Sequence, residues 1–515
     1  MKENIQPEAR YHIHPAYTLM PDRHCAFITN SRGIGIFDPP GDIDSNFMQT
    51  VSPLHACIFS YWDGKRSYND TLDAIQQELN IDRQTLESFL LPCFENEEHI
   101  LMNPKDTTKG NSRHWIPRRF IIRSENGSCR NDLYPPEKFI VPKKDWNINY
   151  QRARFPLRLH LMLTNHCVTD CLYCYADKKH QVGQQLPTER WLEIIHEAHE
   201  NGTLNIDVGG GEVFLYPGIE PILQTLYTLG YNPYLSTKIP LSEAKIESLK
   251  AAGMRELQLS IDSWDSKTME QMLKVPPTYF EQLKRSMKLL EKHGIRVKVK
   301  SVITRYNDSV EQVDRLLSNL TLFSNIISIS IAPGEYSLYK GAEGFLDYRT
   351  STTQWNEIEA FVSRFQSEYQ GTCAIDCQTI STAAEYVASV DEKCKNFISR
   401  SRCTGNFTAL FILPDGKVGI CEELYWEPRF LLGDLNKQSL KEIWESEKAV
   451  GLYELSQKDI RSKSTCSFCP QFTACHQGSG VCWKLILEAY GEENWDFPDP
   501  RCPYAPPSTK KFYIQ

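Results

Sequence analysis

From residue 157 onward, short runs of alternating or continuous apolar residues take turns with amphipathic stretches. LRLHLMLT (157–164), LNIDVG (204–209), NPYLST (232–237), ELQLSID (256–262), RVKVKSVIT (296–304) and IISISIA (326–332) read as strands. Between them Trp191, Ile194, Ile195 and Ala198 fall on one helical face, as do Phe280, Leu283, Met287 and Leu290. Six β/α units in series predict an α/β fold: a parallel sheet with helices outside, curved into a partial (β/α)6 barrel of TIM type. Catalytic groups in such sheets gather at the C-terminal strand ends.

The pattern differs on either side of this core. Residues 1–105 read as a small winged-helix-like αβ unit. HCAFITNSRGIGIFD carries two short strand-like runs joined by Asn30–Gly33, and Ser52-Pro53 is a helix start. Leu54, Ile58 and Tyr61 share a helical face; Leu72, Ile75 and Leu79, then Leu86, Phe89 and Leu90, repeat that spacing. DGKR at 63–66 breaks the first two helices. The unit is poor in titratable clusters, so binding rather than catalysis is its expected role. Residues 106–155 are rich in Lys, Arg, Asn and Pro with little periodicity and predict a linker across the surface. The barrel is expected over 156–340, a bridging region over 341–392 and a final domain over 393–515. Nine of the 17 cysteines lie beyond residue 375, which predicts a small fold organised around metal.

Composition narrows the function classes. With 515 residues, 41% hydrophobic and 24% charged, the chain has material for several cores. A net charge of −8 argues against a nucleic-acid binder. MKENIQPEAR is too polar for a signal peptide, and no run of ~20 apolar residues predicts a membrane span. A cytoplasmic, reducing setting is expected, where clustered cysteines hold metal more often than they form disulfides. Cys25, Cys57, Cys93 and Cys129 are scattered singly and read as small packed side chains. Cys373 and Cys377 are four apart; on a helix they would share a face, for packing or for a redox or substrate contact.

The densest chemistry is CVTDCLYC (167–174), three cysteines directly after the first barrel strand. A cubane iron–sulfur cluster is usually held by four thiolates, so three leave one iron open to a small molecule. A structural zinc site would fill all four positions. Cys167-x3-Cys171-x-Tyr173-Cys174 resembles the signature of the radical S-adenosylmethionine (SAM) family, and the strand order over roughly 157–335 is similar as well. The resemblance implies that the open iron chelates SAM. It also implies that reductive cleavage gives methionine and a 5′-deoxyadenosyl radical, which abstracts a substrate hydrogen. Gly209-Gly210-Gly211-Glu212, ending the second strand, resembles the family's GGE motif for the SAM amino group. Ser236 and Ser260 end the third and fourth strands, where the family contacts the ribose and methionine parts. About a dozen residues beyond Ser260, where the family often has Arg, this chain has Met272, with Lys274 the nearest cation.

Cys403-x12-Gly416-x4-Cys421, then Cys466-x2-Cys469-x5-Cys475, Cys482 and Cys502, resemble a SPASM domain, the two-cluster extension of peptide-modifying radical SAM enzymes. The family pattern has a cysteine where this chain has Ser479, with Cys482 standing in. The resemblance implies one auxiliary cluster on Cys394, Cys403, Cys421 and Cys482. The other falls on Cys466, Cys469, Cys475 and Cys502, for three [4Fe-4S] clusters in all. The alternative is a pair of zinc ribbons.

VSPLHACIFSYWDGKRSYNDTLDAI followed by LESFLLPCFENEEHIL resembles the PqqD-like RiPP recognition element, which binds leader peptides of ribosomally made, modified peptides as an added strand. A generic winged helix on DNA would want more basic residues than Lys65, Arg66 and Arg83. The expectation is a radical SAM oxidoreductase that matures a ribosomal precursor peptide, served by a flavodoxin- or ferredoxin-type electron donor. The reaction expected is oxidative cross-linking, a cysteine thioether to carbon, with carbon–carbon linkage next. Formylglycine formation and a zinc-stapled binding protein are the rivals.

Overall fold

The computed structural model describes all residues except 1–4, 35–42, 45–46, 103–114, 126, 177–182, 339–340, 379–388, 390, 392, 394–396, 398–399, 401–402, 425–426 and 512–515, and the side chains of 342 and 479. It forms two compact units: Met1–Leu157 with Pro470–Gly480, and Arg158–Cys469 with Val481–Gln515.

In the first unit β1 is Arg10–Ile13, and β2 (Tyr17–Pro21), β3 (Ala26–Asn30) and β4 (Met48–Val51) form an antiparallel sheet in the order β2-β3-β4. The run after Asn30 lies largely outside the described residues. Helix α1 (Pro53–Ser60) begins as the sequence predicts: Ser52 Oγ accepts the His55 N–H at 3.2 Å and Pro53 opens the first turn. DGKR is more than a breaker. It lies in β5 (Asp63–Ser67), which pairs with β1 and leads into α2 (Tyr68–Leu79) and α3 (Arg83–Leu90).

The expected linker is corrected by the structure. After β6 (Ile100–Leu101) come β7 (Trp115–Ile116), paired with β6, and β8 (Ile121–Arg123), paired with β1 in the order β5-β1-β8. Ile116, Phe120 and Ile121 are buried in the core that holds Phe59 and Trp62. Three large apolar side chains close in sequence thus tie the segment into the first unit, although its composition is polar overall.

The second unit opens with β9 (Arg158–Thr164), then α4 (Thr188–Glu200), β10 (Asn205–Gly210), α5 (Ile219–Thr228), β11 (Ser236–Thr237), α6 (Glu243–Ala251), β12 (Glu256–Ser260), α7 (Ser266–Leu273), α8 (Tyr279–Lys292), β13 (Arg296–Ile303), α9 (Val310–Leu320) and β14 (Ile326–Pro333). All six predicted strands exist, the third reduced to two residues. β9 and β10 pair in parallel, and β11 to β14 are parallel neighbours in sequence order. Both sheets are extended from beyond the barrel: β15 (Ala374–Cys377) joins β14, and β16 (Ala409–Ile412) joins β9, each in parallel. β17 (Lys417–Gly419) and β18 (Leu431–Asp434) follow antiparallel. Trp191, Ile194, Ile195 and Ala198 of α4, and Phe280, Leu283, Met287 and Leu290 of α8, are all buried, as their spacing predicts. Among the described residues no helix is long and apolar enough to cross a membrane.

Candidate functional site

The ends of β9 and β10 are bound together by backbone. Gly211 N–H donates to Thr164 O and Glu212 N–H to His166 O, each at 2.7 Å. Gly210 has φ +119°, and a Cβ there would run into Thr164 O; a Cβ on Gly211 would run into His166 O. Glycine is therefore required by close backbone approach at both positions. Glu212 is 2% exposed. Burial pushes its carboxyl up, and donors oppose this: Lys238 N–H at 3.1 Å, Thr237 Oγ1 at 2.9 Å and Phe214 N–H at 3.3 Å. Ser236 and Ser260 are brought together through Gln258, whose Oε1 accepts from Ser236 Oγ at 2.8 Å and whose Nε2 donates to Ser260 Oγ at 2.8 Å.

In the cysteine loop, Thr169 Oγ1 lies 3.2 Å from Cys167 Sγ and 3.3 Å from Cys171 Sγ, so both sulfurs converge on one buried hydroxyl. Cys174 N–H closes the turn on Cys171 O. Tyr173 OH donates to Asp262 Oδ2, which also takes Lys238 Nζ at 2.9 Å, while Val302 N–H donates to Oδ1 at 2.9 Å. Lys238 Nζ stands 5.4 Å from the Tyr173 ring centroid. Lys274 ends α7 in the left-handed conformation and is exposed, while the carbonyls of Met272 and Leu273 just before it accept the Leu172 and Asp170 N–H of the cysteine loop. Sequence reasoning missed Asp262 and Lys238. Lys238 directly follows β11 and Asp262 lies two residues past the end of β12, beside the positions that marked Ser236 and Ser260, and a search of strand ends could have found them.

In the C-terminal region Cys403, Cys421 and Cys482 come together. Burial pushes the Cys421 thiol up and Cys482 and Cys403 push it further; Cys482 is raised to about 12, first by burial and then by Asp499 and Cys403. Asp499 Oδ2 accepts the Cys482 N–H at 3.1 Å and pairs with Arg501 at 2.7 Å. Gln457 Nε2 donates to the carbonyls of both Cys466 and Cys469 at 2.8 Å. Cys502, raised by burial, also feels Cys469. Cys475 belongs to the first unit, where its N–H donates to Gln471 O, and Cys394 lies outside the described residues. Cys373 and Cys377 flank and end a strand, not a helix, and burial raises their thiols to about 11 and about 12. Such thiols stay protonated at neutral pH, which suits packing.

A single zinc held at ~2.3 Å needs sulfurs about 3.8 Å apart. The group of described His, Cys, Asp and Glu whose donor atoms all lie within 4.8 Å of one another is Glu243, Glu247 and His293, with no cysteine in it. The convergent but spread cysteines suit a polynuclear cluster better than one ion.

Residues 161–319 match the radical SAM superfamily, and residues 403–470 match SPASM, an iron–sulfur cluster-binding domain. The chain carries both domains. It is a radical SAM enzyme, and its cofactors are SAM and iron–sulfur clusters. Among solved structures it is similar to Streptococcus suis SuiB bound to precursor peptide SuiA, at 14% identity, TM-score 0.59, and 96% coverage of this chain and 99% of that one. SuiB bound to S-adenosylmethionine matches at 15% identity and TM-score 0.58, over 96% and 99%. At these identities the likeness is one of fold, and it extends from the N-terminal unit through the SPASM region.

Proposed function

We propose that this radical SAM enzyme modifies a ribosomally synthesised precursor peptide by oxidative cross-linking, joining a cysteine sulfur to a neighbouring carbon. The observation that carries the reading is the likeness over 96% of the chain to an enzyme solved with its precursor peptide. In this reading Cys167, Cys171 and Cys174 hold the SAM-binding cluster, and Gly210, Gly211, Glu212, Ser236 and Ser260 receive SAM beside Tyr173. When bound, cluster and SAM together supply hydrogen-atom abstraction. The glycines let backbone approach the amino acid part closely, Glu212 faces its ammonium, and the Ser236–Gln258–Ser260 chain offers hydroxyls to the rest. Cys394, Cys403, Cys421 and Cys482, with Cys466, Cys469, Cys475 and Cys502, would hold two further [4Fe-4S] clusters; these would supply an acceptor for the one electron left on the peptide after 5′-deoxyadenosyl has taken a hydrogen atom and the thiol proton has gone to solvent. A flavodoxin- or ferredoxin-type protein would supply the separate electron that cleaves SAM reductively.

The N-terminal unit binds the leader as an added strand. Its β2-β3-β4 sheet ends in two edge strands, and main-chain pairing there gives affinity without strict sequence demands. The test is anaerobic reconstitution followed by incubation with SAM, reductant and the peptide encoded beside the gene. The expected product has lost two hydrogen atoms and one alkylatable thiol. A product that keeps all its thiols would replace the thioether with a carbon–carbon bond. Formation of 5′-deoxyadenosine at the wild-type rate after replacing Cys167, Cys171 and Cys174 with Ala would overturn the site assignment.

A further inference from the structure

The cysteine loop carries a fixed charge pair that the reading above does not use. Lys238 follows β11 and Asp262 follows β12, so the topology delivers an ammonium and a carboxylate to the same rim as the three cysteines. Asp262 is 1% exposed and takes four contacts: Tyr173 OH and Lys238 Nζ on Oδ2, Val302 N–H on Oδ1 and Asn307 Nδ2 on its carbonyl at 2.6 Å. Lys238 is held at its backbone as well, its N–H on Glu212 and its carbonyl on Tyr279 OH. The ammonium therefore has little freedom to leave the face of Tyr173, the residue between Cys171 and Cys174.

We propose that Lys238, anchored by Asp262 against Tyr173, is the counter-charge of the three-cysteine centre and raises its reduction potential. Each electron added to such a centre makes it more negative, so a fixed cation in a water-poor setting favours the reduced form. Lys238 is a positioning residue in this role: it acts through the charge that Asp262 holds beside Tyr173. The companion carboxylate acts in the opposite direction, and the potential reflects their difference.

The inference rests on the assignment of Cys167, Cys171 and Cys174, and the two can fail separately. Iron and sulfide content of the triple cysteine variant tests the assignment. The potential of the Lys238 variants tests the charge. Reconstituted full-length enzyme is poised at set potentials without peptide, and the reduced cluster is followed by the EPR signal that responds to added SAM. Lys238→Met should lower the reduced-to-oxidised ratio at a fixed potential at least tenfold, about 59 mV for one electron. Lys238→Arg, which keeps the charge, should leave the ratio within twofold of wild type. If Lys238→Met does not retain iron, Lys238→Gln takes its place, and a Lys238→Gln enzyme whose ratio lies within twofold of Lys238→Arg overturns the proposal. It is equally overturned if Lys238→Met weakens SAM binding in equilibrium dialysis while the potential stays unchanged, since the ammonium would then serve the ligand and not the cluster.

Discussion

Arg130 lies in a segment whose composition reads as linker, yet its guanidinium is 7% exposed. Nη1 donates to Ile13 O at 3.1 Å, His14 O at 3.1 Å and Tyr17 O at 3.2 Å, joining β1 and β2. Nε and Nη2 pair with Asp132 at 2.6 Å, but that carboxylate is 63% exposed. Nη1 has only two protons for three acceptors, so it counts as two charge-assisted bonds, together about 3–6 kcal/mol. The solvent-screened pair with Asp132 contributes at most ~1 kcal/mol. Arg130→Met should therefore cost the first unit about 4 kcal/mol, a large share of a domain's usual ~5–15 kcal/mol. The assay is hydrogen exchange on the full-length protein. Amides of β1, β2 and β8 should lose protection by about a thousandfold, following ~1.4 kcal/mol per decade, while β13 amides in the second unit keep theirs. Asp132→Ala should change protection less than about fivefold. If Asp132→Ala costs as much as Arg130→Met, or if Arg130→Met moves protection by less than tenfold, the buried carbonyl bonds are not what holds the segment.

Gly211→Ala puts a Cβ against His166 O and should abolish SAM binding in equilibrium dialysis while leaving iron content near wild type. Replacing Cys403, Cys421 and Cys482 together with Ala should reduce iron from about twelve to about eight per chain; unchanged iron would refute their clustering. Glu488 is 3% exposed, both its carboxyl oxygens lack a hydrogen-bond partner, and Lys484 sits closer to Glu423 (2.6 Å) than to it (3.9 Å). Burial pushes Glu488 up to about 8, against the pull of Lys484, so it carries a proton at neutral pH. A raised carboxyl stabilises the fold fully below the ordinary value of ~4.3, and that contribution is lost as pH climbs through about 8. Thermal midpoints of the full-length protein should thus fall between pH 5 and pH 8, and Glu488→Gln should flatten the fall. Deletion of residues 1–105 should leave a poorly soluble chain, because β8 loses its partner β1, whereas a chain beginning at Arg158 should retain iron and cleave SAM without peptide.

The barrel was legible because its information is local. Alternation within 157–164 or 296–304, and the 3.6-residue spacing in α4 and α8, are imposed by the period of the element itself, and a residue need not know its partner to obey them. The same holds for CVTDCLYC, where three cysteines sit within eight residues after a strand, and for the GGGE run, whose glycines answer a close backbone approach. Ser236 and Ser260 were singled out by their strand ends together with the family resemblance. What failed was reading by average composition. The 106–155 stretch is polar on balance, yet Ile116, Phe120, Ile121 and Arg130 bind it into the first unit. The pairing of β16 with β9 and of β15 with β14 joins segments far apart in the chain, and no local period encodes which edge a distant strand will choose.

The sequence by itself determined the chemistry on offer: three cysteines after a strand, a second set beyond residue 400, and the glycines that let chain ends meet. Tertiary structure alone decided which charges accompany that chemistry. Lys274 is nearer to the family's cation position in sequence, yet its place at the end of α7 leaves it exposed. Lys238 and Asp262 are 24 residues apart, and they meet because β11 and β12 are parallel neighbours whose ends share one rim. Ligand identity is a property of residue type and spacing, whereas an ion pair is a property of distance. Only the folded sheet, by burying Asp262 and orienting Lys238 over Tyr173, sets that distance.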